Sequence, residues 1–260
     1  LSLHDALPIC IGPRIASSPA ADAVQQIHRT EAMPTLPLTR DEANFLAAFL
    51  GRIIGWDSRA AVRLQVRRRT LGVYAACPLD VLVFIALPLS GAAAQDSADE
   101  ENELDGLDVT VSAGRLRDII GDVTRLGERT QLAVPDPVIG SASLAVLPPV
   151  SPWSPGDRGV AGDLVQRIDE AVTAFRAQVP ATGSLQSDLL AEATWSAPGW
   201  GGLPMRALHA AKLMGFLSHP GARLETGTAP GWKRLVSPAG QVFVRGSGVP
   251  ARLSVVRNRP

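Results

Sequence analysis

Residues 107–120 read LDVTVSAGRLRDII. Leu107, Val109 and Val111 alternate with Asp108 and Thr110, the period-two pattern of a strand with one buried face. Ser112 suits a helix N-cap, since its hydroxyl can accept from a free backbone N–H of the first turn. Ala113, Leu116, Ile119 and Ile120 then recur at helical spacing. A strand running directly into an amphipathic helix makes a corner on which the N-terminal half can pack. The corner contains no chemistry, so it decides the fold and leaves function open.

Upstream, Thr39 and Glu42 have capping-box spacing, which lets each side chain satisfy a backbone donor of the other. Phe45, Leu46, Phe49, Leu50, Ile53 and Ile54 then form one apolar face, and Gly55 is expected to end the helix. Strands are expected at Ala61–Arg67, Leu71–Ala76 and Val81–Leu87. The third is apolar on both faces, which places it centrally in a sheet. The same run has a competing reading. Arg67–Arg69, then VLVFIALPL and Ala92–Gln95, resembles a signal peptide with its cleavage site, although Pro78 and Asp80 interrupt it. The run is too short to cross a bilayer as a helix. Phe45, Phe49, Ile53, Val109, Val111, Leu116 and Ile120 are expected to be buried together.

Residues 1–36 and 91–106 lack apolar periodicity that could offset chain ordering, and are expected to lack regular structure. Beyond the corner, a strand is expected at Gln131–Val134. Residues 135–161, rich in Pro and Gly, read as an extended connector with a short strand at Ser143–Val146. The second half reads as three helices and a small sheet. The first helix carries Leu164, Val165, Ile168, Val172 and Phe175. The second is capped by Ser187 and carries Leu189, Leu190 and Ala193. The third opens at Pro204, turns Ala207, Leu208, Ala211 and Gly215 inward and ends at Gly221. Strands fit Ala222–Thr226, Trp232–Val236 and Val242–Arg245, with a turn at Pro238–Gly240.

Lys plus Arg and Asp plus Glu balance at 25 each in 260 residues, yet the distribution is uneven. Asp96 to Asp108 holds seven acids and no base, whereas Trp200 to Pro260 holds nine Lys and Arg against Glu225 alone. Cys10 and Cys77 can form neither a disulfide framework nor a four-thiolate zinc site. Cys77 reads as a small core or turn residue, which makes a reduced, cytoplasmic setting the expectation.

The chain has no nucleotide-binding loop, nucleophile elbow or metal-ligand His/Cys spacing. Gly199 to Gly202 lacks the preceding strand of a phosphate cradle and reads as a helix–helix connection. Asp57 and Asp80 could form a carboxylate pair, but turn and capping roles suit them better. No catalytic residue, cofactor or metal is expected, and the chain is read as more plausibly non-enzymatic.

Four resemblances follow from these residues. Val109, Val111, Ala113, Leu116 and Ile119, with the preceding helix and three strands, resemble one repeat of the bacterial DNA sliding clamp over residues 38–135. Ser112 stands where that family usually has proline, and a single repeat implies a clamp-like half-domain without ring function. Residues 163–246, three helices before a hairpin, resemble a winged-helix domain. That resemblance implies phosphate contact through Arg206, His209 and Lys212 on the third helix and Lys233 and Arg234 on the hairpin, with Arg223 and Arg245 as further basic residues of the wing. Residues 2–9, SLHDALPI, resemble a translated sequencing adapter, and the whole resembles an uncharacterised actinobacterial-type protein.

The resulting expectation is an α+β protein with an artefactual and disordered stretch at 1–37. A mixed helix–sheet unit at 38–150 precedes a three-helix unit with a small antiparallel sheet at 151–246, and a basic tail fills 247–260. The first functional reading is a non-enzymatic intracellular interaction or regulatory protein whose partner is another protein. The second is a nucleic-acid-binding protein using the C-terminal helix and hairpin, and a hydrolase ranks third. No membrane association is expected.

Overall fold

The computed structural model describes residues 34–89, 104–123, 129–179 and 185–246, which all fall in one compact unit, Pro34–Pro260. The expectations for residues 1–33, 90–103 and 247–260 lie outside the described residues.

The first half is β1 (Thr35–Thr39), α1 (Arg40–Trp56), β2 (Ala61–Arg67), β3 (Thr70–Cys77), β4 (Val81–Pro88), β5 (Asp108–Ser112), α2 (Ala113–Val123) and β6 (Arg129–Ala133). The second half is α3 (Ala142–Ala145), β7 (Ser154–Val160), α4 (Ala161–Gln178), α5 (Leu185–Ser196), a 3-10 turn at Trp200–Gly202, α6 (Met205–Leu213), β8 (Arg223–Ala229), β9 (Trp232–Ser237) and β10 (Gly240–Arg245). The architecture is α+β. Eight strands form one antiparallel sheet in the order β5-β2-β3-β4-β10-β9-β8-β7, and β1 pairs with β6 in a separate ribbon.

Local chemistry accounts for the element starts. The Thr39 hydroxyl accepts from the Glu42 N–H at 3.3 Å, and the Glu42 carboxylate accepts from the Thr39 N–H at 2.7 Å. At the corner, the Ser112 hydroxyl accepts from the Arg115 N–H at 3.4 Å. Alternation then sets the two faces of the sheet. Val62, Leu64, Leu71, Val73, Val83, Ile85, Val242, Val244 and Leu235 join Leu46, Phe49, Leu50, Ile53, Leu116, Ile120, Leu164, Ile168 and Leu208 in one buried cluster. The opposite face carries a smaller cluster of Leu82, Leu144, Trp232 and Phe243, with Tyr74, Phe84 and Trp153 packed against it. The segment around α3 crosses this second face. It is held by Arg63, which grips the Asp108 carboxylate at 2.6 and 2.7 Å and donates to the Leu144 carbonyl at 2.8 Å.

The apolar run at 81–88 forms β4, paired with β3 on one side and β10 on the other, as a strand apolar on both faces should be. The β4–β10 register, Val83 opposite Val242 and Val81 opposite Val244, carries the sheet from the first half into the second. The hairpin of the second half is therefore not a small sheet of its own, because its last strand completes the hydrogen bonding of β4.

Several expectations are corrected. Phe45 is 41 % exposed although Phe49 and Ile53 on the same helix are buried, because the apolar stripe is wider than the contact it makes. Thr35 and Leu36 lie in β1, where Leu36 pairs with Leu132 and is fully buried. Residues 142–145 form a helical turn, not a strand, and residues 154–160 form β7 within the expected connector. The sequence SPGDRGV shows no alternation because β7 is an edge strand exposed along most of its length and bulged between Pro155 and Arg158. Gly55 lies inside α1, Ser187 lies inside α5, and Leu189 is exposed. The third helix ends at Gly215, not Gly221. Gly215 has φ +74, its N–H donates to the Lys212 carbonyl, and the Phe216 N–H donates to the Ala211 carbonyl, the paired bonds of a Schellman stop.

Candidate anion-binding groove

Arg206, His209, Lys212, Lys233 and Arg234 do not share a surface. Lys212 is ion-paired with Asp169 of α4. The His209 ring stacks on Trp195 of α5 with centroids 4.8 Å apart, and Trp195 in turn lies 5.3 Å from Phe175 of α4. Lys233 and Arg234 are adjacent in β9, so the pleat sends them to opposite faces of the sheet. Lys233 donates to the Gly202 carbonyl at 2.6 Å beside the helices, whereas the Arg234 guanidinium lies 4.4 Å over the Trp153 ring on the second face. Burial pulls the Arg234 guanidinium below its ordinary pKa, with Glu225 pulling the other way. Alternation in β9 already encoded this sidedness.

Arg206 and Lys233 do come together, and Arg245 joins them at the same end of the sheet. Two features of the chain make the site. Gly201, with φ +66, lies so close to β8 that a Cβ there would stand 2.4 Å from the Thr226 methyl. Glycine alone lets the turn before α6 lie on the sheet and present the Gly202 carbonyl to Lys233. The β9–β10 register, Arg245 opposite Trp232, then sets the Arg245 guanidinium 4.4 Å over the Trp232 ring.

Arg206 and Arg245 line two adjoining pockets. One, of about 490 Å³, also holds Lys233, Glu192, Ser196, Pro198 and Pro204. The other, of about 380 Å³, holds Asp80, Leu82, Ala142, Ser143 and Trp232. Arg206 donates from Nη1 to Ser196 Oγ at 3.0 Å, and Ser196 Oγ donates to Glu192 at 2.6 Å. Arg206 Nε is buried without a hydrogen-bond partner. Arg245 reaches the Val146 carbonyl at only 3.4 Å, which leaves most of its donors for another group.

The remaining candidates play local roles. Asp57 caps α1 and accepts from the Arg59 N–H at 2.9 Å, while Asp80 sits in the β3–β4 turn with φ +57. The Cys77 side chain is buried, and burial pushes its thiol up to about 12, so it behaves as a small apolar residue. Among the described residues no three His, Cys, Asp or Glu side chains gather as metal ligands, and no helix is long and apolar enough to cross a membrane.

His209 carries a testable pH dependence. Burial lowers its pKa, Lys212 and Arg176 lower it further, and Asp169 opposes them. The unfolded imidazole therefore takes a proton, near its ordinary value of 6.5, that the folded one refuses. The stability linked to His209 is complete above that value and is lost as pH falls below it towards the folded pKa. Denaturant midpoints at about pH 7.5 and 5.5 should fall further for the parent than for His209→Gln. Equal falls would show that His209 is not the group responsible.

The chain resembles known proteins in two ways. Residues 33–144 match the family model of a domain of unknown function, DUF8010, and residues 148–249 match that of a second, DUF8185. No curated protein matches by sequence. Among solved structures, the resemblance is to DNA polymerase sliding clamps and is weak. The clamp of Pseudomonas aeruginosa shares 13 % identity at a TM-score of 0.48, over 84 % of this chain and 65 % of the clamp chain. The pol III beta of Caulobacter crescentus shares 12 % identity at a TM-score of 0.49, over 86 % of this chain and 69 % of that one. The chain thus spans less than two thirds of the length of the Pseudomonas clamp.

Proposed function

We propose that this chain is a non-enzymatic interaction protein that engages an anionic partner through the groove of Arg206, Lys233 and Arg245. The observation that carries this reading is the convergence of three cationic side chains on two adjoining pockets. Glu192 is the acidic member of the larger pocket, and its carboxylate already accepts from Ser196. Against a catalytic role for His209, its ring is stacked on Trp195.

Nucleic-acid binding along the C-terminal helix and hairpin is the second reading. Of its five residues, only Arg206 and Lys233 lie on the groove.

The test is a low-salt titration of the full chain with short oligoglutamate and oligothymidylate, alongside the Lys233→Gln/Arg245→Gln variant. At least one probe should bind, with affinity that weakens as salt rises and falls about tenfold in the variant, which corresponds to about 1.4 kcal/mol. Absence of binding by both probes would remove the reading.

A further inference from the structure

Resting on that groove reading, we infer that the groove's occupant is an extended acidic peptide of another protein, in which a carboxylate side chain is flanked by apolar residues. Arg206 and Arg245 belong to both pockets, so they supply guanidinium edges wherever a chain passes from one pocket to the other. The Arg245 guanidinium carbon stands 4.4 Å over the Trp232 ring, and beyond its 3.4 Å contact with the Val146 carbonyl its remaining N–H groups can meet a planar carboxylate. Arg206 brings a second guanidinium, oriented by its 3.0 Å bond to Ser196 Oγ. On either side the lining offers small apolar surfaces, Ala142 in one pocket and Pro198 and Pro204 in the other. Apolar walls beside a cationic ridge complement a peptide that alternates apolar and acidic side chains.

The same lining disfavours a nucleic acid. Single strands bind where bases can stack on open aromatic faces beside cations. Trp232 is only 6 % exposed and its ring is already covered by Arg245, while Trp153, packed against the same cluster, is covered by Arg234. Asp80 and Glu192 would also stand near a phosphate chain without any match. A peptide can place its own backbone N–H groups or neutral side chains against those two carboxylates, which a phosphodiester cannot.

The experiment uses the full chain and four probes: a short blocked peptide alternating leucine and glutamate, its leucine–glutamine analogue, oligoglutamate and oligothymidylate. The leucine–glutamate peptide should bind at least about tenfold tighter than each of the other three. Its affinity should weaken with salt and fall about tenfold in Lys233→Gln/Arg245→Gln, with an unchanged denaturation midpoint certifying the fold. If the double variant is less stable, Arg245→Gln alone should still show the loss. Oligothymidylate or oligoglutamate binding as tightly as the peptide would overturn the assigned occupant and leave the groove reading intact. No binding by any probe would overturn both. Equal binding by the glutamine analogue would also overturn the inference, since the arginines would then have no role.

Discussion

Phe49→Ala is expected to remove about 3–5 kcal/mol of stability, read as a shift of the denaturant midpoint at unchanged slope. Phe49 is 2 % exposed in the middle of α1, between Leu46, Leu50 and Ile53, all of them buried. These residues belong to the same core as Leu116 and Ile120 of α2, so the truncation leaves a cavity between two helices and the sheet beneath them. A loss below about 1 kcal/mol would mean that α1 does not pack there. Phe45→Ala is the internal control: the same chemistry on the same helix, at a position 41 % exposed, should change stability by only about 0.5 kcal/mol.

Gly240→Ala is expected to cost about 1–3 kcal/mol. Gly240 closes the β9–β10 hairpin, and a Cβ there would stand 2.5 Å from the Phe216 ring and 2.8 Å from the Phe84 carbonyl oxygen. Neither neighbour yields easily. Phe216 is 4 % exposed just beyond the glycine stop of α6, and the Phe84 oxygen is backbone in the central strand. Relief requires the β4–β10 seam to open, and that seam is where the two halves of the sheet join. Gly55→Ala serves as the contrast, because nothing lies within 4 Å of its Cβ position. On propensity alone, that change inside α1 should stabilise by up to about 1 kcal/mol. Thermal or denaturant unfolding should order the three proteins Gly55→Ala, parent, Gly240→Ala. Unchanged stability in Gly240→Ala would show that the hairpin seats less closely against β4.

Functional consequences follow from the same seam. Joining β10 to β4 brings the β3–β4 turn, with Asp80, to the end of the sheet where Arg245 emerges. One pocket of the groove thus draws on both halves of the chain, through Asp80 and Leu82 from the first and Arg206, Trp232 and Arg245 from the second. A partner seated there would read both halves at once. Its binding should also stabilise the seam by mass action.

The elements were legible in the sequence wherever a local rule governs them. The Thr39/Glu42 box, the Ser112 cap, the alternation through β2 and the two-sided apolarity of β4 each depend on contacts a few residues apart, and each stands in the structure. The sidedness of Lys233 and Arg234 was equally legible, since neighbours in a strand must face apart. Tertiary structure alone decided the rest. The strand β7 has no periodicity because its order comes from pairing with β8 and from the Asp157 N–H that donates to the Thr226 hydroxyl, 69 residues away. Phe45 left the core because the contact made by α1 is narrower than its apolar stripe. The groove exists because β10 pairs with β4 and Arg245 stands opposite Trp232, registers chosen by the summed burial of both sheet faces. Local spacing carries no trace of such pairings, because their energy comes from residues far apart in the chain that meet only once the sheet has formed.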